Sequence, residues 1–133
     1  MEAKLKHLEF IEAAIGRMAT NSFLFKGWAI TIVAALSAFA AANTKTALLT
    51  IAIVATVMFW GLDGYYLWLE RRFIELYEQV AAKVPGDIDF SMKFDRSNAA
   101  SSWFSTCWRP HLLAFYGSML VIDAVAICLI RSR

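Results

Sequence analysis

Three apolar runs dominate this chain, and their lengths restrict it to one environment. Phe23 to Ala42, Ala47 to Leu69 and His111 to Ile130 are each about 20 residues long, enough for a helix to cross the roughly 30 Å hydrocarbon layer of a bilayer. The whole chain has 133 residues, 59% of them hydrophobic, with a mean hydropathy of +0.54. A water-soluble fold this short has too little interior to hide that much apolar surface. The expectation is an all-α integral membrane helical bundle with three transmembrane helices, forming a single membrane domain over residues 1–133. The first run lies far from the position a cleaved leader would take, so it is expected to be retained.

The segments between the runs predict the rest of the helices. Over residues 2–20, Leu5, Leu8, Ile11, Ile15 and Met18 share one stripe, with Lys4, Glu9, Glu12 and Arg17 largely elsewhere, the pattern of an amphipathic helix. Thr20, Asn21 and Ser22 are cap-type residues and predict a fresh helix start before the first span, 23–42. The polar turn Asn43-Thr44-Lys45-Thr46 makes the first two spans antiparallel neighbours. The second span, 47–69, keeps helical spacing through Phe73, Leu76, Tyr77, Val80 and Val84 until Pro85-Gly86, so it continues past the membrane to residue 84. Residues 87–109 read as a linker ending in a short interfacial helix that carries Trp103, Phe104 and Trp108. Pro110 then opens the third span, 111–130.

Lysine and arginine counts set the expected orientation. Residues 1–22 and 70–110 carry nine of them, and the opposite side carries Lys45, Arg131 and Arg133. By the positive-inside rule the nine-residue side, with the N-terminus, is cytoplasmic.

Ionisable residues inside apolar segments are costly and point to pairing or function. There are three. Lys26 and Asp63 lie at matching depth near the same end of the first two spans, which favours an ion pair orienting the two helices; the alternative is a cavity or gate. Asp123 lies nearer the outer end of the third span. It would either reach the headgroups or, in an assembly, form the ring of carboxylates used for cation selectivity. Gly61 and Gly64 flank Asp63 and permit close helix approach or a hinge, at about 1 kcal/mol each relative to alanine. Tyr65, Tyr66 and Trp68 fit an aromatic belt followed by positive-inside charges. The basic residues Arg71, Arg72, Lys83, Arg96 and Arg109 fit either attraction to lipid headgroups or an anion site in which guanidinium groups fork onto phosphates and aromatic rings stack on bases.

Catalytic chemistry finds no footing. Cys107 and His111 are four residues apart, but the chain offers no third group to orient them. The cysteines and histidines lack zinc spacing, and no glycine-rich phosphate loop is present. A non-enzymatic protein without metal or cofactor is expected.

The ordered motifs His7-Leu8-Glu9-Phe10-Ile11, Ile15-Gly16-Arg17-Met18, Asn21-Ser22-Phe23, Lys26-Gly27-Trp28, Phe59-Trp60-Gly61-Leu62-Asp63-Gly64-Tyr65-Tyr66-Leu67 and Glu70-Arg71 resemble small bacterial membrane proteins encoded beside antiphage defence genes. The resemblance is to the transmembrane effectors of the Hailong defence system and, more loosely, to SLATT-type two-span effectors. It covers roughly residues 7–80, and nothing from 87 onward adds to it. It implies a homo-oligomeric effector, a tetramer, in the bacterial inner membrane. A cytoplasmic nucleotide or nucleic-acid ligand would control an ion channel that depolarises the infected cell, and a nucleotide-polymerising partner would be encoded nearby. The alternative expectation is a non-conducting anchor or assembly subunit that recruits a soluble partner through its cytoplasmic helices.

Overall fold

The computed structural model describes residues 1–94 and 99–133, and among these there is no strand. Its long helices are α1 (Glu2–Asn43), α2 (Thr46–Ala82) and α4 (Pro110–Arg131), with a shorter α3 (Ala99–Cys107) between the last two. All three long helices are long and apolar enough to cross a membrane.

α1 corrects one expectation. It runs unbroken through Thr20, Asn21 and Ser22, where a cap and a new helix start were predicted. These residues are mediocre helix formers, but none is Gly or Pro, so the helical ladder survives them. Ser22 spends its hydroxyl on a neighbouring helix instead of a cap. At 1.5 Å per residue, a 42-residue helix is about 63 Å long. The amphipathic stretch and the first span are therefore one rod.

α1 reverses through Thr44, a left-handed residue (φ 52°) at its C-cap, and Lys45, and α2 returns antiparallel against it. α2 stops at Ala82, two residues short of the predicted end, and Pro85–Asp87 forms a single 3-10 turn. Beyond the apolar runs, Ile11 of α1 packs with Leu76 and Val80 of α2, joined by Leu8, Ile15, Phe73 and Tyr77. The amphipathic stripe thus finds its partner, although its buried centre is His7, Ile11 and Ala14, and Leu5 stays exposed. The 88–92 segment closes over this region: His7 Nε2 donates to the Ser91 carbonyl at 2.8 Å, and Phe90 lies against both His7 and Phe10.

Pro110 sits in the first turn of α4, as the sequence predicts, where its missing N–H costs nothing. α4 packs chiefly against α2, and Leu112, Tyr116 and Met119 meet Ala29, Val33 and Ala52 in a second buried cluster. The small residues Ala29 of α1 and Ala52 of α2 are buried in this cluster, and small residues let helix backbones approach closely.

Candidate functional site

The first part of the site is a polar clasp among the three long helices. Asp63 of α2 is fully buried. Lys26 Nζ of α1 lies 2.6 Å from Asp63 Oδ2, and Tyr116 Oη of α4 donates to the same oxygen at 2.9 Å. Ser22 Oγ donates to Asp63 Oδ1, and Lys26 Nζ reaches Ser22 Oγ at 3.1 Å. One carboxylate on α2 thus gathers donors from both of the other long helices. Burying a charge is tolerable only when it is paired and its lone pairs are used, and both conditions are met here. The matched depths of Lys26 and Asp63 are legible in the sequence. Ser22 and Tyr116 are not singled out there, although a hydroxyl at clasp depth in each facing helix is a signal that could have found them.

The second part is an arginine pocket at the end of the bundle shared by the α1 N-terminus and the α2 C-terminus. Arg71 and Arg72 of α2 and Arg109, the residue capping α4, line one cavity of about 380 Å³ with Ser102, Ser105 and Thr106 of α3. Arg72 Nη2 holds Glu75 at 2.9 Å, while its Nε–H is buried and has no acceptor among the described residues. Among the described residues, no carboxylate lies within ion-pair distance of Arg71 or Arg109. Lys83 lies elsewhere: it faces Asp89 at 3.6 Å, and that carboxyl is held below its ordinary range by the Ser91 backbone N–H and by Lys83. Arg96, the fifth basic residue of the predicted anion site, falls outside the described residues.

α3 joins the two parts. Trp103 Nε1 donates to the Gly61 carbonyl at 3.0 Å, and Trp60 Nε1 donates to the Cys107 carbonyl at 2.7 Å. Gly64 lies directly under Cys107, where an added Cβ would come within 2.5 Å of Sγ and 3.4 Å of Cα. The space Gly61 leaves is less critical, since its Cβ would sit at an ordinary 3.6 Å from the Trp103 ring. Burial and the nearby Asp63 push the Cys107 thiol upward in pKa. Trp60 also stacks on Tyr116, ring centroids 6.1 Å apart and planes 7° from parallel. α3 therefore touches Trp60, which touches the clasp residue Tyr116.

Asp123 stands apart from both. It is fully buried, accepts from Ser37 Oγ of α1 at 3.2 Å, and its other oxygen has no partner among the described residues. Within one chain it faces α1.

The chain is therefore a helical bundle with three helices long and apolar enough to cross a membrane, tied together at a buried carboxylate. No protein-family model, curated protein or solved structure matches the chain.

Proposed function

We propose that this chain is the subunit of an oligomeric, ligand-gated membrane effector of bacterial antiphage defence, which depolarises the inner membrane when a phosphate-bearing ligand on the cytoplasmic side changes. The observation that carries the reading is the convergence of Arg71, Arg72 and Arg109 on one polar pocket. That pocket lies on the same helix as Asp63 and within reach of the clasp through α3. Guanidinium groups are the usual means of forking onto phosphate, and among the described residues Arg71 and Arg109 have no carboxylate within ion-pair distance.

Side chains fill the space between the three long helices, with Tyr116 and Leu112 both fully buried. A conducting path therefore belongs between copies, in keeping with the tetramer that the resemblance implies. Ligand acts by its differential affinity for two arrangements of α3 on α2. Gly61 and Gly64 are the joint on which α3 moves, and the Lys26–Asp63 clasp is what opening must loosen. Asp123 enters the lumen only when α4 turns away from Ser37.

A voltage-sensitive dye in growing bacteria tests this. Expression with the trigger should collapse the potential, and the Arg71→Gln/Arg109→Gln double variant should change the threshold. A potential that never changes, with folded protein in the membrane, contradicts the reading.

The recruiting-anchor alternative has one observation in its favour. Glu12, Ile15, Gly16, Ile74 and Tyr77 line an open, mostly apolar cleft between the projecting ends of α1 and α2. Under that reading a soluble partner would co-purify and the membrane potential would stay constant.

A further inference from the structure

α3 crosses α2 between two unlike cavities. On one flank its serines face Arg71, Arg72 and Arg109. On the other, Trp103, Phe104 and Trp108 meet Val57 and Trp60 of α2 around an apolar cavity of about 260 Å³. Val57 and Arg71 are fourteen residues apart on one helix, about 21 Å along its axis. The apolar side of α3 therefore faces the spanning part of α2, and its polar side faces the charged extension. Leu69, at the end of the apolar run, is two residues from Arg71, and Pro110, at the start of α4, directly follows Arg109. The three guanidinium groups thus lie where the apolar runs end, at the height of lipid phosphates.

Among the described residues, no aromatic side chain lines the pocket, so a base finds none to stack on there. What it offers is positive charge, an unpartnered Arg72 Nε–H and hydroxyl groups. The aromatic groove across α3 offers the reverse, an apolar slot.

The geometry points to a bound anionic phospholipid, its phosphate among Arg71, Arg72 and Arg109 and an acyl chain in the Trp60–Trp103–Phe104–Trp108 groove, draped over the exposed edge of α3. The assignment rests on the anion-site reading above and names the source of the phosphate. Charge complementarity selects the headgroup, and the apolar groove selects a ligand with a tail. Such a lipid holds α3 against α2.

Native mass spectrometry of the full-length protein in detergent tests this, with phosphatidylglycerol and phosphatidylcholine offered in equal amounts. Phosphatidylglycerol should be retained in preference. Arg71→Gln and Arg109→Gln should each reduce that preference about fivefold, and Arg109→Lys should preserve most of it. Trp103→Ala with Phe104→Ala should shorten lipid retention while leaving the headgroup preference intact. Circular dichroism confirms that each variant is folded. Equal retention of the two lipids overturns the assignment. So does binding of inorganic phosphate or AMP that depends on the same arginines and expels the lipid, which would identify a soluble phosphate ester. The dye assay is independent: a potential that collapses in the absence of lipid preference leaves the effector reading standing, and a constant potential with lipid retained overturns that reading alone.

Discussion

Lys26 and Asp63 meet at 2.6 Å across two antiparallel helices, but they are not buried alike: the lysine side chain is 25% exposed and the aspartate fully enclosed. The consequences of losing each partner therefore differ. With Asp63 gone, the Lys26 stem can extend toward the polar end of the helix. With Lys26 gone, Asp63 keeps only the hydroxyl groups of Ser22 and Tyr116.

Lys26→Met should cost about 3–5 kcal/mol, the range for stranding a buried charge. Asp63→Asn should cost less, about 1–2 kcal/mol, because the exposed lysine rehydrates. The Lys26→Met/Asp63→Asn double variant should recover much of the loss. Thermal unfolding in detergent micelles, followed by circular dichroism, measures all three. A larger loss for Asp63→Asn than for Lys26→Met would refute the clasp as described.

The two glycines of α2 should respond unequally. Gly64→Val has no room beneath Cys107 and must displace α3, with an overpacking cost of about 1–3 kcal/mol. Gly61→Ala fits beside Trp103. In a Cys128→Ser background, Cys107 is the sole thiol. Its burial and raised pKa keep it protonated and slow toward maleimide at neutral pH. Gly64→Val should accelerate that labelling and Gly61→Ala should leave it unchanged; equal rates would show that α3 does not rest on Gly64.

Much of this was legible in the sequence, for physical reasons that differ from residue to residue. The three helices long and apolar enough to cross a membrane follow from run length and apolarity alone. The Lys26–Asp63 pair follows because two charges at one depth have few other ways to survive. Tyr116 escaped notice because a tyrosine in an apolar run reads equally well as packing. The break predicted at Thr20–Ser22 failed because cap-type residues terminate a helix only when the backbone finds a better partner there, and here the partner was a side chain on α2. Arg71, Arg72 and Arg109 share a pocket because α3 folds back across α2, a long-range placement that no local spacing encodes. Lys83 shares their charge but lies beyond that fold-back, beside Asp89.

Asp89 gives a signed pH dependence. Its carboxyl is depressed in the folded chain, so whatever stability it lends is present above the ordinary carboxylate range and is lost as pH falls through the depressed value. The 88–92 segment should then loosen from His7 in acid. Amide exchange at Ser91, whose N–H donates to Asp89 Oδ1 at 3.1 Å, reports it. Asp89→Asn should remove the acid-side loss of protection, taken relative to the intrinsic exchange rate at each pH; protection that still falls in acid in this variant would place the titrating group elsewhere.

Asp123→Asn separates a conducting protein from an anchor. The Ser37 hydroxyl can donate to the amide oxygen as it does to Oδ1, so folding should be retained. If α4 turns on opening, the variant should lower cation preference in planar-bilayer recordings. Unchanged selectivity would leave Asp123 as a packing residue.

Everything rests on three crossings with the arginine pocket and the α1 N-terminus on one side. Single cysteines at Glu2→Cys, Thr44→Cys, Gly86→Cys and Ser132→Cys in a Cys107→Ser/Cys128→Ser background measure this directly, using an impermeant maleimide on intact cells. Thr44→Cys and Ser132→Cys should label from outside, with Glu2→Cys and Gly86→Cys labelling only after lysis. External labelling of Gly86→Cys together with Thr44→Cys would contradict the account.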